Sequence, residues 1–268
     1  VYTDITQSLS LGGLTYGVTN MELTSAYASI ANGGTYQKPV LYTKVVDHNG
    51  NILLSNTQKG KRVMKESTAF LLTDAMKDVI TKGTGKSAKL SSSMAVAGKS
   101  GTTSNSYDYW FSGYTPYHTA SVWMGYDKNT NFASDNTHKK IWAKVMNEII
   151  KTKQEQTTDF KKPADIVKAK VCKESGKLAI KGVCDHDPRG SRVITEYFEK
   201  GTVPTQTCDI HVAVEVCKTS DKLATKNCPA NKKQRKIYIV RKKGSHGKTT
   251  DTPYLLPKKY QSVFCKKH

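Results

Sequence analysis

Cysteine is confined to one end of this chain. All six cysteines lie between positions 172 and 265 of 268 residues. Net charge is divided in a similar way: residues 1–157 carry 17 basic and 11 acidic side chains, a net charge of +6, whereas residues 158–268 carry 25 and 11, a net charge of +14. A polar run through residues 151–163 is typical of a linker. We therefore predict two domains, residues 1–157 and residues 158–268.

Hydrophobic periodicity in the first part predicts helices packed on strands. Thr19 and Glu22 have the spacing of a capping box, and an apolar helical stripe follows them. Asn49-Gly50 separates two short apolar runs and predicts a tight hairpin. Two further helices are predicted by apolar stripes at Ala69, Leu72, Met76 and Val79, and at Ile141, Trp142, Val145, Met146 and Ile149. Helices beside antiparallel strands form an α+β domain.

A cation and three hydroxyl groups follow one apolar run. Residues 94–98 are small or apolar, which predicts a strand, and this run leads into Lys99, Ser100, Gly101, Thr102 and Thr103. Lysine supplies a positive charge, the hydroxyls supply directed donors, and the glycine leaves room for an incoming backbone. These five residues alone also fit a solvated turn. If they lie on a strand edge, that edge is suited to a peptide carboxylate.

Two aromatic strands come next in the sequence. Residues 107–116 are typical of a strand that ends in a proline turn, and residues 120–126 of its return. Lys99-Ser100-Gly101 followed by the Trp-Phe-Ser-Gly-Tyr-Thr-Pro run at 110–116 resembles the penicillin-binding transpeptidases, in particular the bifunctional class A peptidoglycan synthases. The resemblance covers residues 1–150 and includes a Gly-Thr-Gly loop at 83–85.

This resemblance implies a fold and a reaction. The fold is an antiparallel sheet with flanking helices, of class α+β. The reaction is serine-type D,D-transpeptidation, which cross-links peptidoglycan: a serine attacks the penultimate D-Ala carbonyl of a stem peptide, expels the terminal D-Ala and leaves an acyl-enzyme, which an amine from a neighbouring strand then resolves. β-Lactams mimic the D-Ala-D-Ala end and are implied ligands. No cofactor is implied.

The resemblance also implies roles for the residues after the apolar run. Catalytic roles fall to Lys99, which provides positive potential, and to Thr102, whose backbone N–H supplies half of an oxyanion hole. Substrate binding falls to Ser100, Gly101, Thr102 and Thr103. Within this set, the hydroxyls of Ser100 and Thr102 hold the substrate carboxylate, and Thr103 supports the strand.

Two motifs that the family places before this strand are missing there. Neither Ser-x-x-Lys nor Ser-x-Asn occurs before Lys99. Ser134-Asp135-Asn136 lies after the strand, where we interpret it as a helix N-cap, and we interpret residues 35–38 as a turn. We therefore expect a C-terminal fragment that is inactive alone, from a protein at the extracellular face of the bacterial membrane. A non-catalytic wall-binding relative and a β-lactamase-like hydrolase remain alternatives.

Two cysteine loops repeat in the second part. The stretch from Cys172 to Cys184 returns, with several identical residues, from Cys217 to Cys228. An even cysteine count without a Cys-x-x-Cys pair favours disulfides over a metal site, so no metal is predicted. The repeat suggests small β-rich modules with the pairs Cys172–Cys184, Cys217–Cys228 and, for the remaining two, Cys208–Cys265.

The net charge of +14 in the second part suggests an anionic partner. Wall polymers or the outer face of the membrane would be bound electrostatically, and more weakly as salt is added. Nucleic acid is disfavoured because lysine outnumbers arginine and aromatic residues are not interleaved for base stacking. A highly soluble surface without a partner is the remaining interpretation.

Overall fold

The computed structural model describes residues 2–240 and 249–267. The chain divides into two compact units, Val1–Ala164 and Asp165–His268. The division falls later than the predicted position between residues 157 and 158. Residues at the end of the predicted linker pack with the first unit: the Thr158 carbonyl accepts a hydrogen bond from Ala95 N–H (3.1 Å), and the Phe160 ring lies 5.4 Å from the Tyr114 ring. Much of the predicted linker is therefore folded.

The first unit begins with a helix and short strands. Helix α1 (Asn20–Ala31) starts at the predicted capping box, in which Glu22 N–H donates to Thr19 Oγ1 (3.2 Å) and Thr19 N–H donates to the Glu22 carboxylate (2.8 Å). Four strands follow: β1 (Thr35–Tyr36), β2 (Lys44–Val46), β3 (Ile52–Ser55) and β4 (Lys61–Arg62).

These four strands form two small antiparallel pairs. β2 and β3 form the predicted hairpin, and Gly50 lies in its turn at φ +85°. β1 pairs with β4. Residues 35–36 are thus a strand, and the prediction of a turn over residues 35–38 is wrong at its start, because Thr35 and Tyr36 pair with Arg62 and Lys61.

A three-stranded antiparallel sheet lies at the centre of the first unit. Helix α2 (Glu66–Thr81) precedes strands β5 (Ala97–Thr102), β6 (Asp108–Tyr114) and β7 (Thr119–Gly125), which are ordered β5-β6-β7. Helix α3 (Thr137–Lys153) packs on β6 and β7, and α2 packs on β5. Helices beside an antiparallel sheet confirm the α+β class. The predicted strand at 94–98 begins later, at Ala97, so the strand contains most of the lysine motif itself.

The aromatic residues of β6 connect this sheet to its helices. The buried ring of Trp142 on α3 meets Phe111 edge-on at 5.2 Å, and its Nε1–H donates to the Ala120 carbonyl (2.9 Å). On β6, Trp110 lies opposite Gly101 of β5, and its ring is 6.4 Å from that of Trp123 on β7. The aromatic run thus forms the middle of the sheet.

The two later helices bury only some of the residues of the predicted stripes. On α2 the buried residues are Ser67, Ala69, Thr73, Met76 and Ile80, whereas Leu72 is 41% exposed. On α3, Trp142 and Met146 are buried as predicted, but Ile141 and Val145 are 43% and 47% exposed. The predicted stripes are therefore only partly correct.

The residues before α3 do not form the predicted side-chain cap. Asn136 occupies the N-cap position at φ +72° and makes no capping hydrogen bond through its side chain. Its Oδ1 accepts instead from Lys139 Nζ (2.8 Å), and Asp135 forms an ion pair with Lys140 (2.7 Å). Ser134-Asp135-Asn136 therefore lies at the start of α3 with Asn136 at the N-cap, as predicted, but without a side-chain capping hydrogen bond, because lysines of the first turn bind the side chains of Asp135 and Asn136.

The second unit consists of two small β modules. β8 (Ile166–Cys172) pairs with β9 (Val193–Glu199), and β10 (His211–Cys217) pairs with β11 (Lys222–Leu223) and β12 (Lys233–Ile239). A short helix, α4 (Lys259–Ser262), follows. These strands agree with the predicted β-rich modules. In the described ranges of both units, no helix has the length and apolar character needed to cross a membrane.

Candidate functional site

Strand β5 forms one edge of the central sheet. It pairs with β6 on one side, and no other strand among the described residues pairs with its opposite side. Lys99, Gly101 and Thr102 are exposed on this strand, and Ser100 is partly exposed. Because side chains alternate along a strand, Ser100 and Thr102 share one face while Lys99 lies on the other. The predicted site residues are therefore brought together on an accessible strand.

The hydrogen bonds of β5 define which backbone groups face its open side. Thr103 N–H donates to the Asp108 carbonyl (3.2 Å), and the register of β5 and β6 is continuous from Ala97 to Thr102. In an antiparallel pair, hydrogen-bonded and non-hydrogen-bonded residue pairs alternate. The N–H groups of Ser100 and Thr102 therefore point away from β6, toward the open edge.

Two glycines in β5 have different surroundings. A Cβ added at Gly98 would lie 2.8 Å from both Phe111 Cζ and the Ser112 carbonyl oxygen, so close packing requires glycine there. A Cβ added at Gly101 would meet only Trp110 Cβ, at an ordinary 3.6 Å. Packing within the sheet therefore explains Gly98 and not Gly101. The absence of a side chain at Gly101 instead keeps the open edge of β5 accessible.

A buried lysine lies behind this edge. Lys139 of α3 is only 7% exposed, and its Nζ donates to the Thr84 carbonyl (2.8 Å). The Thr84 hydroxyl in turn lies 3.2 Å from the Ser100 hydroxyl. Burial, and then the positive charge of Lys99, lower the pKa of Lys139. Sequence reasoning missed Lys139, because no pattern distinguishes it from its neighbour Lys140.

The remaining side chains of the motif have local partners. Lys99 Nζ donates to the Ser100 carbonyl (2.8 Å). Thr103 Oγ1 accepts from the N–H groups of Tyr107 (3.1 Å) and Asp108 (3.0 Å), which closes the turn between β5 and β6. The Thr103 side chain thus supports the hairpin, and its predicted role in substrate binding remains a prediction.

The cysteines form two clusters of buried thiols. One cluster holds Cys172, Cys184 and Cys208 together with His211, and the other holds Cys217, Cys228 and Cys265. The predicted Cys208–Cys265 pair would join different clusters and is wrong. Its two members occupy equivalent positions in the two modules. The Cys172–Cys184 and Cys217–Cys228 disulfides each lie within one cluster and remain predictions.

Backbone hydrogen bonds explain why Cys208 and Cys265 are equivalent. Cys208 N–H donates to the Leu178 carbonyl, and Cys265 N–H donates to the Leu223 carbonyl, both at 2.8 Å. Each leucine follows the first cysteine of its own loop by six residues. The third cysteine of each module is therefore held beside the loop of that same module.

Comparison with known proteins gives matches along most of the chain. The family described as "Penicillin binding protein transpeptidase domain" matches residues 3–151, and that described as "Penicillin-binding protein 1A, C-terminal domain" matches residues 162–213. Penicillin-binding protein 1A of Clostridium botulinum strain Langeland is 37% identical over 256 residues, which cover 93% of this chain and 30% of that protein. Penicillin-binding protein 1A/1B of Bacillus subtilis is 31% identical and covers 75% of this chain and 24% of that protein.

A solved structure agrees in fold. The crystal structure of penicillin-binding protein 1A from Haemophilus influenzae matches with a TM-score of 0.57 and 23% identity, and the match covers 71% of this chain and 33% of that one. The chain thus spans less than a third of the length of the curated relatives reported above. Because the transpeptidase match includes the whole central sheet and more than half of the residues, this chain belongs to the penicillin-binding protein transpeptidase domain family.

Proposed function

We propose that the intact protein cross-links peptidoglycan as a serine-type D,D-transpeptidase and is acylated by β-lactams. The nucleophilic serine comes from a segment outside these 268 residues, so the chain alone is inactive. The reaction transfers the acyl group of a stem peptide from its terminal D-Ala to the serine, and then to an amine. It takes place at the extracellular face of the bacterial membrane.

Strand β5 supplies the substrate edge in this proposal. The peptide or β-lactam lies along the open side of β5, next to Gly101. The Thr102 N–H donates to the developing oxyanion, and the hydroxyls of Ser100 and Thr102 donate to the substrate carboxylate. Lys99 provides positive potential, which favours the anionic carboxylate.

The direction of the Thr102 N–H is the observation that carries this proposal. This donor points to an edge with no strand on it among the described residues, beside a glycine that sheet packing does not require. A free donor at an open edge can pair with an added strand or with a charged oxygen. Membership of the transpeptidase family favours such a use over a solvated edge.

Intact-mass spectrometry after incubation with benzylpenicillin tests the proposal. We expect a covalent adduct on a form of the protein extended at its N-terminus, and none on the 268-residue chain. Acylation of the short chain would place the nucleophile within it. If neither form is acylated, the proposal fails, and the non-catalytic wall-binding alternative gains support.

A substitution on β5 tests the role of the hydroxyls. In the extended form, we expect Ser100→Ala to lower the second-order rate of acylation by about 10- to 100-fold, because a hydrogen bond to a charged group contributes about 1.5–3 kcal/mol. Ser104→Ala, in the exposed turn after the strand, is the matched control and should leave the rate unchanged. Equal rates for all three proteins would exclude Ser100 from substrate binding.

The second part of the chain, with its net charge of +14, supports attachment to anionic wall polymers or to the membrane surface. Sedimentation with purified anionic wall polymer should show binding that weakens between low and high salt, because ions screen the attraction. Salt-independent binding would exclude electrostatic attachment, and a lack of binding would favour a soluble surface without a partner.

A further inference from the structure

Three cysteines and one histidine converge in the second unit, where β8 ends with Cys172 and β10 begins with His211. Cys172 and Cys184 are fully buried, and Cys208 and His211 are each 5% exposed. Their three Sγ atoms and a nitrogen of His211 all lie within 4.8 Å of one another. We propose that these four residues bind a Zn²⁺ ion. The proposal is independent of the transpeptidase function.

The spacing of the ligand atoms is close to that of a tetrahedral site. His211 Nδ1 lies 3.4 Å from Cys172 Sγ and 3.3 Å from Cys208 Sγ. With Zn–S bonds of about 2.3 Å and Zn–N bonds of about 2.0–2.1 Å, ligand atoms of a tetrahedral site lie roughly 3.5–3.8 Å apart. Three thiolates with one imidazole form a ligand set suited to zinc. Binding would release the thiol protons to solvent.

The second nitrogen of His211 has the partner expected of a metal ligand. Nε2 lies 2.6 Å from Asp187 Oδ2, and both side chains are completely buried. Arg189 holds this carboxylate through Nη2–Oδ2 (2.7 Å) and Nε–Oδ1 (3.0 Å) hydrogen bonds. A carboxylate that accepts from Nε2–H leaves Nδ1 as the unprotonated nitrogen, and Nδ1 faces the sulfurs. Buried carboxylates orient metal-binding histidines in this way.

The number of thiols also favours a metal over a disulfide. One disulfide uses two of the three cysteines and leaves the third, and it gives no role to the nitrogen that faces them. A zinc ion uses all four ligand atoms. In addition, Ile180 N–H donates a hydrogen bond to Cys184 Sγ (3.3 Å), so this sulfur faces a backbone donor as well as the other ligand atoms.

The second module repeats the arrangement. The Sγ atoms of Cys217, Cys228 and Cys265 lie within 4.8 Å of one another, and Thr225 N–H donates to Cys228 Sγ (3.4 Å) as Ile180 N–H does to Cys184. In the sequence, His268 follows Cys265 at the spacing with which His211 follows Cys208, although His268 lies outside the described residues. The recurrence of the three-cysteine cluster in both modules supports a common function for the two clusters.

Metal analysis of the full chain tests the proposal. We expect the chain, purified under reducing conditions, to contain at least one equivalent of zinc by mass spectrometry. Replacement by Co²⁺ should give the d–d absorption of a tetrahedral ion and a sulfur-to-cobalt charge-transfer band. A chain without bound zinc, or a Cys172–Cys184 disulfide found by non-reducing peptide mapping, would overturn the proposal.

Variants identify the four ligands. Cys208→Ser should lower the metal content by one equivalent relative to the unmodified chain, and His186→Ala, which changes an exposed histidine of the same module, should not. Because Cys208→Ser could unfold the module, His211→Cys provides a second measurement. It should keep the stoichiometry and shift the Co²⁺ d–d bands, since a fourth thiolate replaces a nitrogen. Unchanged bands in His211→Cys would remove His211 from the site.

Asp187 is a positioning residue in this proposal. Asp187→Asn keeps the size of the side chain and removes its charge, and should weaken Zn²⁺ binding by about 10- to 100-fold in competition with a chelator. At saturation the Co²⁺ spectrum should remain tetrahedral. Glu196→Gln, on the exposed face of β9, is the control. Equal affinities for both variants would show that the Asp187–His211 contact does not act on a metal.

Discussion

Glycine has two different uses within six residues of β5. Gly98 is required by the packing of Phe111 and Ser112 against it, whereas Gly101 faces open space apart from the Trp110 Cβ. Glycine is costly in a strand because of its conformational freedom, so a position where packing does not need it calls for another explanation. We assign that explanation to the approach of a substrate backbone at Gly101.

Alanine at each glycine separates these uses. Gly98→Ala should destabilise the full chain by about 1–3 kcal/mol, because the new methyl group overlaps Phe111 and Ser112. Gly101→Ala should change stability by less than about 0.5 kcal/mol. Urea denaturation measures both, and acylation of the extended form should be slowed by Gly101→Ala. A Gly101→Ala variant with normal acylation would contradict the assigned use.

At the same scale, the sequence predicts the grouping of the lysine motif better than the grouping of the cysteines. The lysine motif could be placed on a strand edge because its residues are consecutive. The clustered cysteines are not consecutive: the third cysteine of each module follows its loop at a different distance, so the repeat does not extend to it. Cys208-x-x-His211 is a sequence signal for the proposed zinc site, and the absence of Cys-x-x-Cys does not exclude it.

Among the elements, α1 was predicted best because its signals are local. Its capping box joins Thr19 and Glu22, which are three residues apart, and both hydrogen bonds form. The buried stripes of α2 and α3 were predicted less well. Each helix has apolar residues on more than one face, and periodicity alone does not tell which face meets the sheet. On α3 the face with Trp142 is buried, and the face with Ile141 and Val145 is exposed.

The capping box makes α1 sensitive to pH. Hydrogen bonds from Thr19, first its backbone N–H and then its hydroxyl, lower the pKa of Glu22. A lowered folded-state pKa means that this contribution to stability is present above the ordinary pKa of about 4.5 and is lost as pH falls through the lowered value. Urea denaturation at several pH values should show this loss, and Glu22→Gln should remove it. Thr19→Ala should cost about 0.5–2 kcal/mol at neutral pH.

Helix α3 also positions the candidate site through one lysine. Lys139 holds the Thr84 carbonyl, and Thr84 contacts Ser100, so Lys139→Met removes a hydrogen bond from a charged donor and should cost about 1.5–3 kcal/mol. It should also slow acylation of the extended form. Lys140→Met is the matched control, because Lys140 forms only an exposed ion pair with Asp135 and its loss should have little effect. Equal stability of the two variants would argue against the role of Lys139.

At the scale of the whole molecule, the two units have separate cores. The first is built on aromatic and aliphatic side chains around the sheet, and the second on the two thiol clusters. If zinc holds the second unit, its binding energy is folding energy. Calorimetry of the full chain should then show two transitions, of which a chelator lowers only one. If the chelator leaves both transitions unchanged, metal does not stabilise the second unit.

The aromatic sheet has a practical consequence for following these events separately. All three tryptophans of the chain, Trp110, Trp123 and Trp142, belong to the first unit, and Trp110 lies opposite Gly101 on the neighbouring strand. Indole fluorescence therefore originates from the transpeptidase unit alone, and one of its three sources pairs directly with the strand of the candidate site. Tryptophan emission can therefore report the binding of a ligand at that edge. The second unit contains no tryptophan, so events at its thiol clusters have to be followed by another signal, such as metal absorption.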